Sequence, residues 1–316
     1  STRFATPPLP NVHEVLPYSP LAKTFPALWR SKWMTGDLKK QQIDLYHGLS
    51  NELPSGISAT GIPSVVTIHD LIFEKYPEQY NPFDVLISRK KYRYACRQAQ
   101  RVIAISEQTK RDLVEIYKVP AHKIEVCYQS CHPQFEQVVS HDEKEAVRKK
   151  YGLPDRYFLS VGSIIERKNL MNVCRALLLL KDKMEIPLVV IGDGKKYKSD
   201  LKHFLAQHGL TNRVIFLKEK EAVMQDEGFR SGKTFPHLYQ MAEALVYPSL
   251  YEGFGIPVLE ALWSRIPVIT SNTSCLPEAG GPGALYVDPH SPQQIADAMY
   301  QAATDKEYMQ QSVEIG

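Results

Sequence analysis

The chain has 316 residues, of which 43% are hydrophobic and 23% are charged, and its formal charge is +3. These proportions are typical of a soluble globular protein with room for two domains. The charge excess is too small to favour nucleic acid as a partner, and no apolar run approaches the roughly 18 residues that span a bilayer. The five cysteines form no C-x-x-C pair, which indicates free thiols in a reducing compartment. We therefore expect a cytoplasmic protein, or one peripheral on the inner face of a membrane.

In the first half of the chain, short apolar runs alternate with helical stretches. Strands are predicted at residues 62–68, 101–105 and 123–127, with a weaker one at 44–46. A helix is predicted from about residue 84 to residue 100, and Ser106 is placed to cap a second helix at 108–117. His69 and Asp70 follow the first of these strands, and His47 follows the weaker one.

The second half repeats the pattern. Strands are predicted at 157–161, 187–191, 213–217, 244–247, 267–270 and 284–287, and helices at 169–180, 198–208, 256–264 and 292–303. The polar stretch 218–234 has no clear period and is expected to be an irregular or mobile loop. Alternating strands and helices predict parallel sheets in crossover units. The polar seam at 140–145 separates two Rossmann-like α/β domains, 1–138 and 139–316.

The most informative segment is residues 248–260, which read P-S-L-Y-E-G-F-G-I-P-V-L-E. It follows a predicted strand, so Glu252 lies in a strand-to-helix loop and Glu260 in the first turns of a helix. Gly253 and Gly255 allow a close backbone approach to a ligand, and a helix N-terminus at the carboxyl edge of a parallel sheet suits a diphosphate. A carboxylate can accept two hydrogen bonds from vicinal hydroxyls. The alternative is that Glu252 only caps the helix and Glu260 is solvated.

Lys168 and Arg167 lie between another predicted strand, which ends at Gly162, and the helix that follows. They are thus expected at the same sheet edge. A departing nucleoside diphosphate gains negative charge, and a cation placed there stabilises the transition state more than the ground state. A solvated basic loop is the alternative for both residues.

These residues resemble glycosyltransferase family 4, whose members have the GT-B fold of two Rossmann-like domains facing a cleft. The resemblance covers the chain from about Asp44 onward. It rests on two glutamates that flank seven residues, and on four further runs in matching order. The runs are I-H-D at 68–70, V-I-A-I-S at 102–106, V-G-S-I-I-E-R-K-N-L at 161–170 and V-I-G-D-G at 190–194. The E-R-K-N-L run is most similar to the mannosyltransferase-like branch.

The resemblance implies a role for each matching residue. Glu260 would hold the ribose hydroxyls of the donor, and Lys168 would contact its diphosphate. Glu252 and the backbone of Gly253, Phe254 and Gly255 would hold the hexose hydroxyls. His69 would point at the donor sugar and diphosphate, which makes it a catalytic candidate with Lys168 and Glu252; a structural role after the strand is its alternative. Gly162, Ser163 and Arg167 complete the donor-binding set, although Ser163 stands where many members have an arginine.

We therefore expect a retaining transferase that moves a hexose from a nucleotide-sugar, GDP-mannose or a UDP-hexose, to a glycan or lipid-linked saccharide in polysaccharide biosynthesis. The donor is a substrate, so no resident cofactor is expected. No metal is expected either, because the sequence has no Asp-x-Asp motif and no His/Cys cluster at metal spacing. Two alternatives remain open: a sugar phosphorylase or epimerase of the same fold, and a non-catalytic sugar-nucleotide-binding subunit.

Two further expectations concern the first half of the chain. Arg89, Arg93, Arg97 and Arg101 recur every four residues, which places them on one helical face. The stripe is either a solvated face, as charge runs usually are, or a patch for an anionic membrane. The chain also opens in a proline-rich stretch at 5–10, and we find neither the family's first strand nor its last helix. We expect the first domain to be incomplete, and the 316 residues to bind nucleoside diphosphate but transfer sugar poorly.

Overall fold

The computed structural model describes residues 9–17 and 19–316; residues 5–8 of the proline-rich stretch lie outside them. The described residues form ten strands, which are β1 (Tyr46–Gly48), β2 (Ser64–Ile68), β3 (Arg101–Ala104), β4 (Ile124–Val126), β5 (Phe158–Val161), β6 (Leu188–Ile191), β7 (Val214–Phe216), β8 (Ala244–Tyr247), β9 (Val268–Ser271) and β10 (Ala284–Val287). Each predicted strand is confirmed, with ends that shift by up to two residues. The apolar runs locate strands well because parallel strands are buried on both faces.

The helices of the described residues alternate with these strands. They are α1 (Pro20–Thr24), α2 (Pro26–Leu28), α3 (Met34–Lys40), α4 (Ile72–Lys75), α5 (Pro82–Gln98), α6 (Glu107–Tyr117), α7 (His141–Tyr151), α8 (Leu170–Leu179), α9 (Lys196–Gln207), α10 (Glu221–Met224), α11 (Glu227–Ser231), α12 (Phe235–Gln240), α13 (Ile256–Trp263), α14 (Leu276–Gly280), α15 (Pro292–Thr304) and α16 (Lys306–Ile315). None of them is both long and apolar enough to cross a bilayer. Ser106 caps α6 as predicted, because its Oγ accepts a hydrogen bond from the Thr109 N–H at 3.0 Å.

The chain divides into two compact units. The first contains the residues up to Ala104 and Asp112–Val126, and the second contains Ile105–Arg111 and Cys127–Gly316. The predicted boundary between residues 138 and 139 differs from this division. Residues Ile105, Cys131 and Phe135 are buried in an apolar core of the second unit, so the segments that carry them belong to it.

Both units are built on parallel sheets, which confirms the predicted α/β class. The first unit has a four-stranded sheet in the order β1-β2-β3-β4, and its core lies around Val66, Ile68 and Val102. The second unit has six strands in the order β10-β9-β8-β5-β6-β7. Alternate residues of β5 enter two cores on opposite faces of this sheet, with Phe158 in one and Leu159 in the other. This alternation is the period of two that a strand imposes.

The expectation of an irregular loop at 218–234 is wrong. The segment contains the short helices α10 and α11, and its apolar side chains Val223 and Phe229 are buried against the second unit's core. Asp226 caps α11 by accepting a hydrogen bond from the Gly228 N–H at 3.0 Å. The apolar residues are too few and too widely spaced to give a helical period, so the sequence pattern did not reveal them.

Candidate functional site

The candidate site lies where the strand order of the six-stranded sheet reverses. From β5 the chain moves to β6 and β7 on one side, while β8, β9 and β10 lie on the other. The loops after β5 and β8 therefore leave the carboxyl edge of the sheet side by side and lead into helices that cover opposite faces. In open α/β sheets this is the point where ligands bind. Lys168 lies in the first loop and Glu252 in the second.

Glycines let the loop after β5 pass close to its neighbour after β6. Gly162 has a φ of 137°, and its N–H donates a 2.9 Å hydrogen bond to the Ile191 carbonyl. A Cβ at Gly192 would lie only 1.9 Å from the Gly162 carbonyl oxygen, and one at Gly194 only 2.2 Å from that of Ile164. These contacts are between backbones, which cannot move aside. The Val-Ile-Gly-Asp-Gly run is thus required by packing and holds the loop that leads to Lys168.

Lys168 and Glu252 form a buried ion pair. The Lys168 Nζ lies 2.6 Å from the Glu252 Oε1, and the exposed fractions of the two side chains are 15% and 8%. The hydroxyl of Tyr247, the last residue of β8, accepts a hydrogen bond from the Lys168 ammonium and donates one of 3.1 Å to the Glu252 Oε1. The ammonium also lies 4.7 Å from the centre of the Tyr247 ring. Lysine, tyrosine and glutamate are therefore held in one geometry.

Arg167 reaches the same carboxylate from its other side. Its Nη1 lies 2.9 Å from the Glu252 Oε2 and donates a hydrogen bond to the Tyr251 carbonyl. Arg167 is buried, and its own carbonyl accepts a 2.9 Å hydrogen bond from the Leu250 N–H. A solvated basic loop is thus the wrong interpretation of Arg167, whose guanidinium fixes Glu252. For the same reason Glu252 is not a helix cap.

Asn169, with a φ of 60°, joins the two loops further. Its side-chain amide donates hydrogen bonds to the Pro248 carbonyl at 2.9 Å and to the Pro289 carbonyl at 2.7 Å. The buried Asn172 donates a third, of 2.9 Å, to the Pro289 carbonyl. Amide side chains thus satisfy buried carbonyls of the loops after β8 and β10, as buried polar groups require.

Electrostatics keep Glu252 ionised. Burial raises the pKa of its carboxyl, but the positive charges of Lys168 and Arg167 lower this pKa by more than burial raises it. The pKa therefore lies below its ordinary value. Burial lowers the pKa of Lys168, and the Glu252 carboxylate opposes this change. Two cations face one carboxylate, so the cluster carries a net charge of about +1 when all three groups are ionised. A buried positive site of this kind suits an anionic ligand group.

The glycine turn after Glu252 is fixed from several sides. Gly255 precedes α13 with a φ of 108°, and a Cβ there would lie 2.9 Å from the Leu276 Cδ2. The Ser106 Oγ donates a 2.8 Å hydrogen bond to the Gly253 carbonyl. The Cys275 thiol lies 3.1 Å from the carbonyl oxygens of both Glu252 and Phe254. The carbonyls are thereby directed into the protein.

Glu260 has an environment opposite to that of Glu252. It lies on α13 and is half-buried, and its Oε2 accepts a 2.5 Å hydrogen bond from the hydroxyl of Tyr239 on α12. Burial raises the pKa of Glu260 and the Tyr239 hydrogen bond lowers it, so that the pKa lies above its ordinary value. No cation pairs with Glu260 within 4.0 Å among residues 9–17 and 19–316. Glu260 is held by the phenol and remains partly accessible.

Within the second unit, the structure brings the predicted Arg167, Lys168 and Glu252 into contact. Ser163 is exposed in the loop after β5, and His69 belongs to the first unit. The His69 Nε2 lies 2.8 Å from the Leu49 carbonyl oxygen, and its backbone N–H donates to the Asn51 side chain. The Asp70 Oδ1 accepts a 2.9 Å hydrogen bond from the Ile72 N–H, so Asp70 holds the loop between β2 and α4. The catalytic role of His69 stays a prediction.

Sequence reasoning missed Tyr247 and Tyr239, two buried tyrosines whose hydroxyls contact the two glutamates. Tyr247 ends an otherwise aliphatic strand at the ligand edge, and this placement of a hydroxyl is a signal that could have identified it. Tyr239 lies on a short helix in a segment whose pattern was not recognised. Groups of three or more potential metal ligands were not found among the described residues.

A parallel α/β unit with paired loops at its switch point, joined to a second parallel α/β unit, defines the GT-B class of sugar-transferring proteins. A family model described as "Glycosyl transferases group 1" matches residues 143–316, and one described as "Glycosyltransferase Family 4" matches residues 2–134. The chain belongs to the group 1 glycosyltransferases. The resemblance noted in the sequence is thereby confirmed.

Curated relatives and solved structures agree with this assignment. An O-antigen chain mannosyltransferase B of Escherichia coli is 28% identical over 282 residues, which are 87% of this chain and 68% of that protein. An O-antigen chain mannosyltransferase RfbU of Salmonella typhimurium is 29% identical over 224 residues, or 71% of this chain and 56% of that protein. The Anabaena protein Alr3699/HepE, solved in complex with UDP and glucose, has a TM-score of 0.70 at 17% identity, covering 95% of this chain and 77% of that one. This last likeness shows the shared fold.

Proposed function

We propose that this chain transfers a hexose from a nucleotide-sugar to a glycan or lipid-linked saccharide, with retention of configuration and without a metal ion. The observation that carries the proposal is the buried cluster of Lys168, Arg167 and Glu252 beside the half-buried Glu260. A cationic site, a carboxylate paired with it and a second carboxylate eight residues further along the chain are groups that can bind a nucleoside diphosphate sugar.

The proposed chemistry follows from the charges. The bond between the sugar's anomeric carbon and the diphosphate oxygen breaks, and the leaving oxygen takes the electron pair. The acceptor hydroxyl oxygen forms the new bond to the anomeric carbon, and its proton passes to the leaving diphosphate oxygen. Lys168 neutralises the leaving diphosphate, and Glu252 accepts hydrogen bonds from the hexose hydroxyls. Because Arg167 and Tyr247 fix these groups in advance, little reorganisation is needed as charge develops.

The relatives and a structure of the same fold suggest which nucleotide-sugar the chain uses. Two relatives are named as mannosyltransferases, and a structure of the same fold was solved with UDP and glucose. We propose GDP-mannose or a UDP-hexose as the donor, and Glu260 as the group that holds its ribose hydroxyls. Calorimetric titration with GDP, UDP, ADP and TDP identifies the base. No binding of any of the four would contradict the donor site.

The transfer itself is tested by a linked assay for free nucleoside diphosphate in the presence of glycan acceptors. We expect release that depends on acceptor and stops in Glu252→Gln, while Lys149→Ala, an exposed cation on α7, serves as the matched control. Product NMR should show the donor's anomeric configuration. Release of sugar phosphate would identify a phosphorylase, and donor binding without turnover on any acceptor would identify a binding subunit.

A membrane contact is proposed on a separate observation. The exposed face of α5 carries Phe83, Leu86 and Ile87 in its first turns, with Phe83 exposed to 75%, and Arg93 and Arg97 in its later turns. These positions share one helical stripe, since the steps from 83 to 86 and 87, from 86 to 93 and from 93 to 97 are three, four, seven and four residues. Arg89 does not belong to a free patch because it pairs with Glu74 at 2.7 Å, and Arg101 lies on β3. An apolar and basic helix face suits an anionic lipid surface.

We therefore propose that the chain works in the cytoplasm at the inner face of a membrane. Flotation with vesicles of phosphatidylcholine and phosphatidylglycerol tests the contact. Phe83→Ser with Ile87→Ser should reduce binding at least about tenfold, since each substitution removes an inserted apolar side chain. Leu179→Ser, at a 47% exposed position of α8, is the control. Equal flotation of the two variants would refute the contact.

A further inference from the structure

A cavity of about 490 Å³ opens in the first unit, at the ends of α5 and α6. Its lining residues are Arg93, Cys96, Arg97, Ile116, Tyr117, Lys118, Val119, Pro120 and Lys123. The volume is within the range of pockets that hold small molecules. None of the residues predicted to bind the donor lines it.

The cavity lies at the amino edge of the first unit's sheet. Helix α5 ends at Gln98 just before β3 begins, and α6 ends at Tyr117 shortly before β4 begins. His69 and Ser106, by contrast, follow the carboxyl ends of β2 and β3. The cavity and the predicted catalytic edge of this unit are therefore on opposite edges of one parallel sheet.

Four cations line the cavity and no carboxylate does. Several other basic side chains of this unit are paired: Arg30 and Lys91 with Glu52, Arg89 with Glu74, and Lys75 with Asp112. For the four cavity cations, the described part of the chain contains no ion pair with an acidic group within 4.0 Å. Their charges therefore add within one concave surface.

Neighbouring contacts hold Arg93 and Lys123 in place, and the Glu74 carboxylate interacts with Arg93 through its charge without forming an ion pair with it. The Arg93 guanidinium lies 5.2 Å from the centre of the Tyr117 ring, and the Lys123 Nζ donates a 3.0 Å hydrogen bond to the Arg97 carbonyl. The Tyr117 hydroxyl donates to the Glu74 Oε1 at 2.9 Å, so this carboxylate is engaged by the phenol and by Arg89. Burial lowers the pKa of Lys123, and an anion bound beside it would raise that pKa again.

Favourable interaction with the helix dipoles explains the positions of only some of the four cavity cations. Arg97, in the last turn of α5, and Lys118, just past α6, each face a helix C-terminus, where a cation is stabilising. Arg93 lies one turn earlier and Lys123 lies just before β4, outside either last turn. The dipoles therefore do not explain why all four cations converge. A concave wall of a single charge sign focuses its field on a ligand of the opposite sign.

We propose that this cavity binds a phosphate-bearing group of about the size of a diphosphate, either free in solution or as the headgroup of an anionic lipid. Two arginines supply forked donors for phosphate oxygens, and the two lysines supply point charges. The Cys96 thiol at the cavity wall is a spectator, because burial raises its pKa to about 12. The site does not depend on the proposed sugar transfer.

Calorimetric titration with sodium pyrophosphate tests the proposal. The pocket variant is Arg97→Gln with Lys118→Gln, and the matched control is Lys40→Gln with Arg101→Gln, two exposed cations that do not line the cavity. Both variants remove two positive charges and leave Lys168 intact, so any binding of pyrophosphate at the donor site is common to both. We expect the pocket variant to lose at least about tenfold in affinity at one class of site, and the control to stay within about twofold.

A second arm distinguishes the two sources of phosphate. If the ligand is a lipid headgroup, pyrophosphate should displace the wild-type chain from vesicles of phosphatidylcholine and phosphatidylglycerol, and the pocket variant should bind them less than the control. If the ligand is free in solution, the pocket and control variants should differ in pyrophosphate affinity and should bind the vesicles equally. When the pocket and control variants unfold at the same urea midpoint but bind both probes equally, the cavity is not an anion site. Equal binding in that case overturns the proposal.

Discussion

Replacing Lys168 with alanine tests the central cluster through stability and rate together. The substitution removes the 2.6 Å ion pair with the Glu252 Oε1 and leaves Arg167 at 2.9 Å from the Oε2. Unpairing a buried charge completely costs about 3–5 kcal/mol, and losing one hydrogen bond to a charged group costs about 1.5–3 kcal/mol. Because Arg167 remains, we expect the free energy of unfolding to fall by about 2–3 kcal/mol.

The pH dependence of this loss has a definite sign. The folded-state pKa of Glu252 lies below its ordinary 4.5, so its ionised form contributes stability above that pH. The contribution disappears as the pH falls through the lowered folded pKa. The difference in unfolding free energy between wild type and Lys168→Ala should therefore narrow below pH 4.5. Urea unfolding at several pH values measures it.

The rate should respond separately. Removing a preorganised group that faces developing charge typically lowers turnover about 10²- to 10³-fold. The double variant Lys168→Ala with Glu252→Gln leaves the buried Arg167 without a carboxylate partner, so it should be less stable than Lys168→Ala and regain none of the lost turnover. Release of nucleoside diphosphate measures turnover with the donor that the binding screen identifies. Turnover of Lys168→Ala within threefold of wild type would refute the assignment of leaving-group stabilisation to this ammonium.

Four other outcomes are expected. Glu260→Ala should bind the nucleoside diphosphate about 10- to 100-fold more weakly, whereas Glu252→Ala should bind it at least as well as wild type because two cations lose their partner; equal calorimetric affinities for wild type and Glu260→Ala would contradict this. Because the pKa of Glu260 is raised, its carboxylate should become protonated, and nucleotide affinity should fall, at a pH above 4.5. Glu260→Gln should not show this pH-dependent loss of affinity. Turnover should persist in EDTA, and activity restored only by Mn²⁺ or Mg²⁺ would argue otherwise. Gly255→Ala should destabilise the chain by about 1–3 kcal/mol in urea titrations, because its φ is 108° and its Cβ would meet Leu276, while Gly36→Ala, a helical position with open space, should not.

The strands and the motif loops were predictable because their physics is local. In the sequence, buried parallel strands are continuous apolar runs. The runs of β5 and β8 end abruptly, at Gly162 and Pro248. Once both sheets were expected to be parallel, the carboxyl edge followed, and with it the neighbourhood of Lys168 and Glu252. The register and strand order were not predictable, because they depend on which apolar faces pack together.

The details of the site depend on contacts between residues that are distant in sequence. Arg167 and Glu252 are 85 positions apart, and nothing near Arg167 in the sequence indicates that its guanidinium is buried. Tyr239 meets Glu260 only because α12 packs beside α13. The segment 218–234 was misjudged for the same reason, since the core that covers Val223 and Phe229 is built by other parts of the chain.

The amide of Asn169 has a consequence for anyone who wants to exchange donor preference among relatives. It donates hydrogen bonds to the carbonyls of Pro248 and Pro289, and the Arg167 carbonyl accepts one from the Leu250 N–H. The loops after β5, β8 and β10 are therefore joined by one set of hydrogen bonds. Replacing one of these loops with the loop of another transferase would change the backbone positions and break the hydrogen bonds between the loops. Chimeras should exchange all three loops together, or leave them untouched and vary α12, whose Tyr239 reaches Glu260 with its side chain alone.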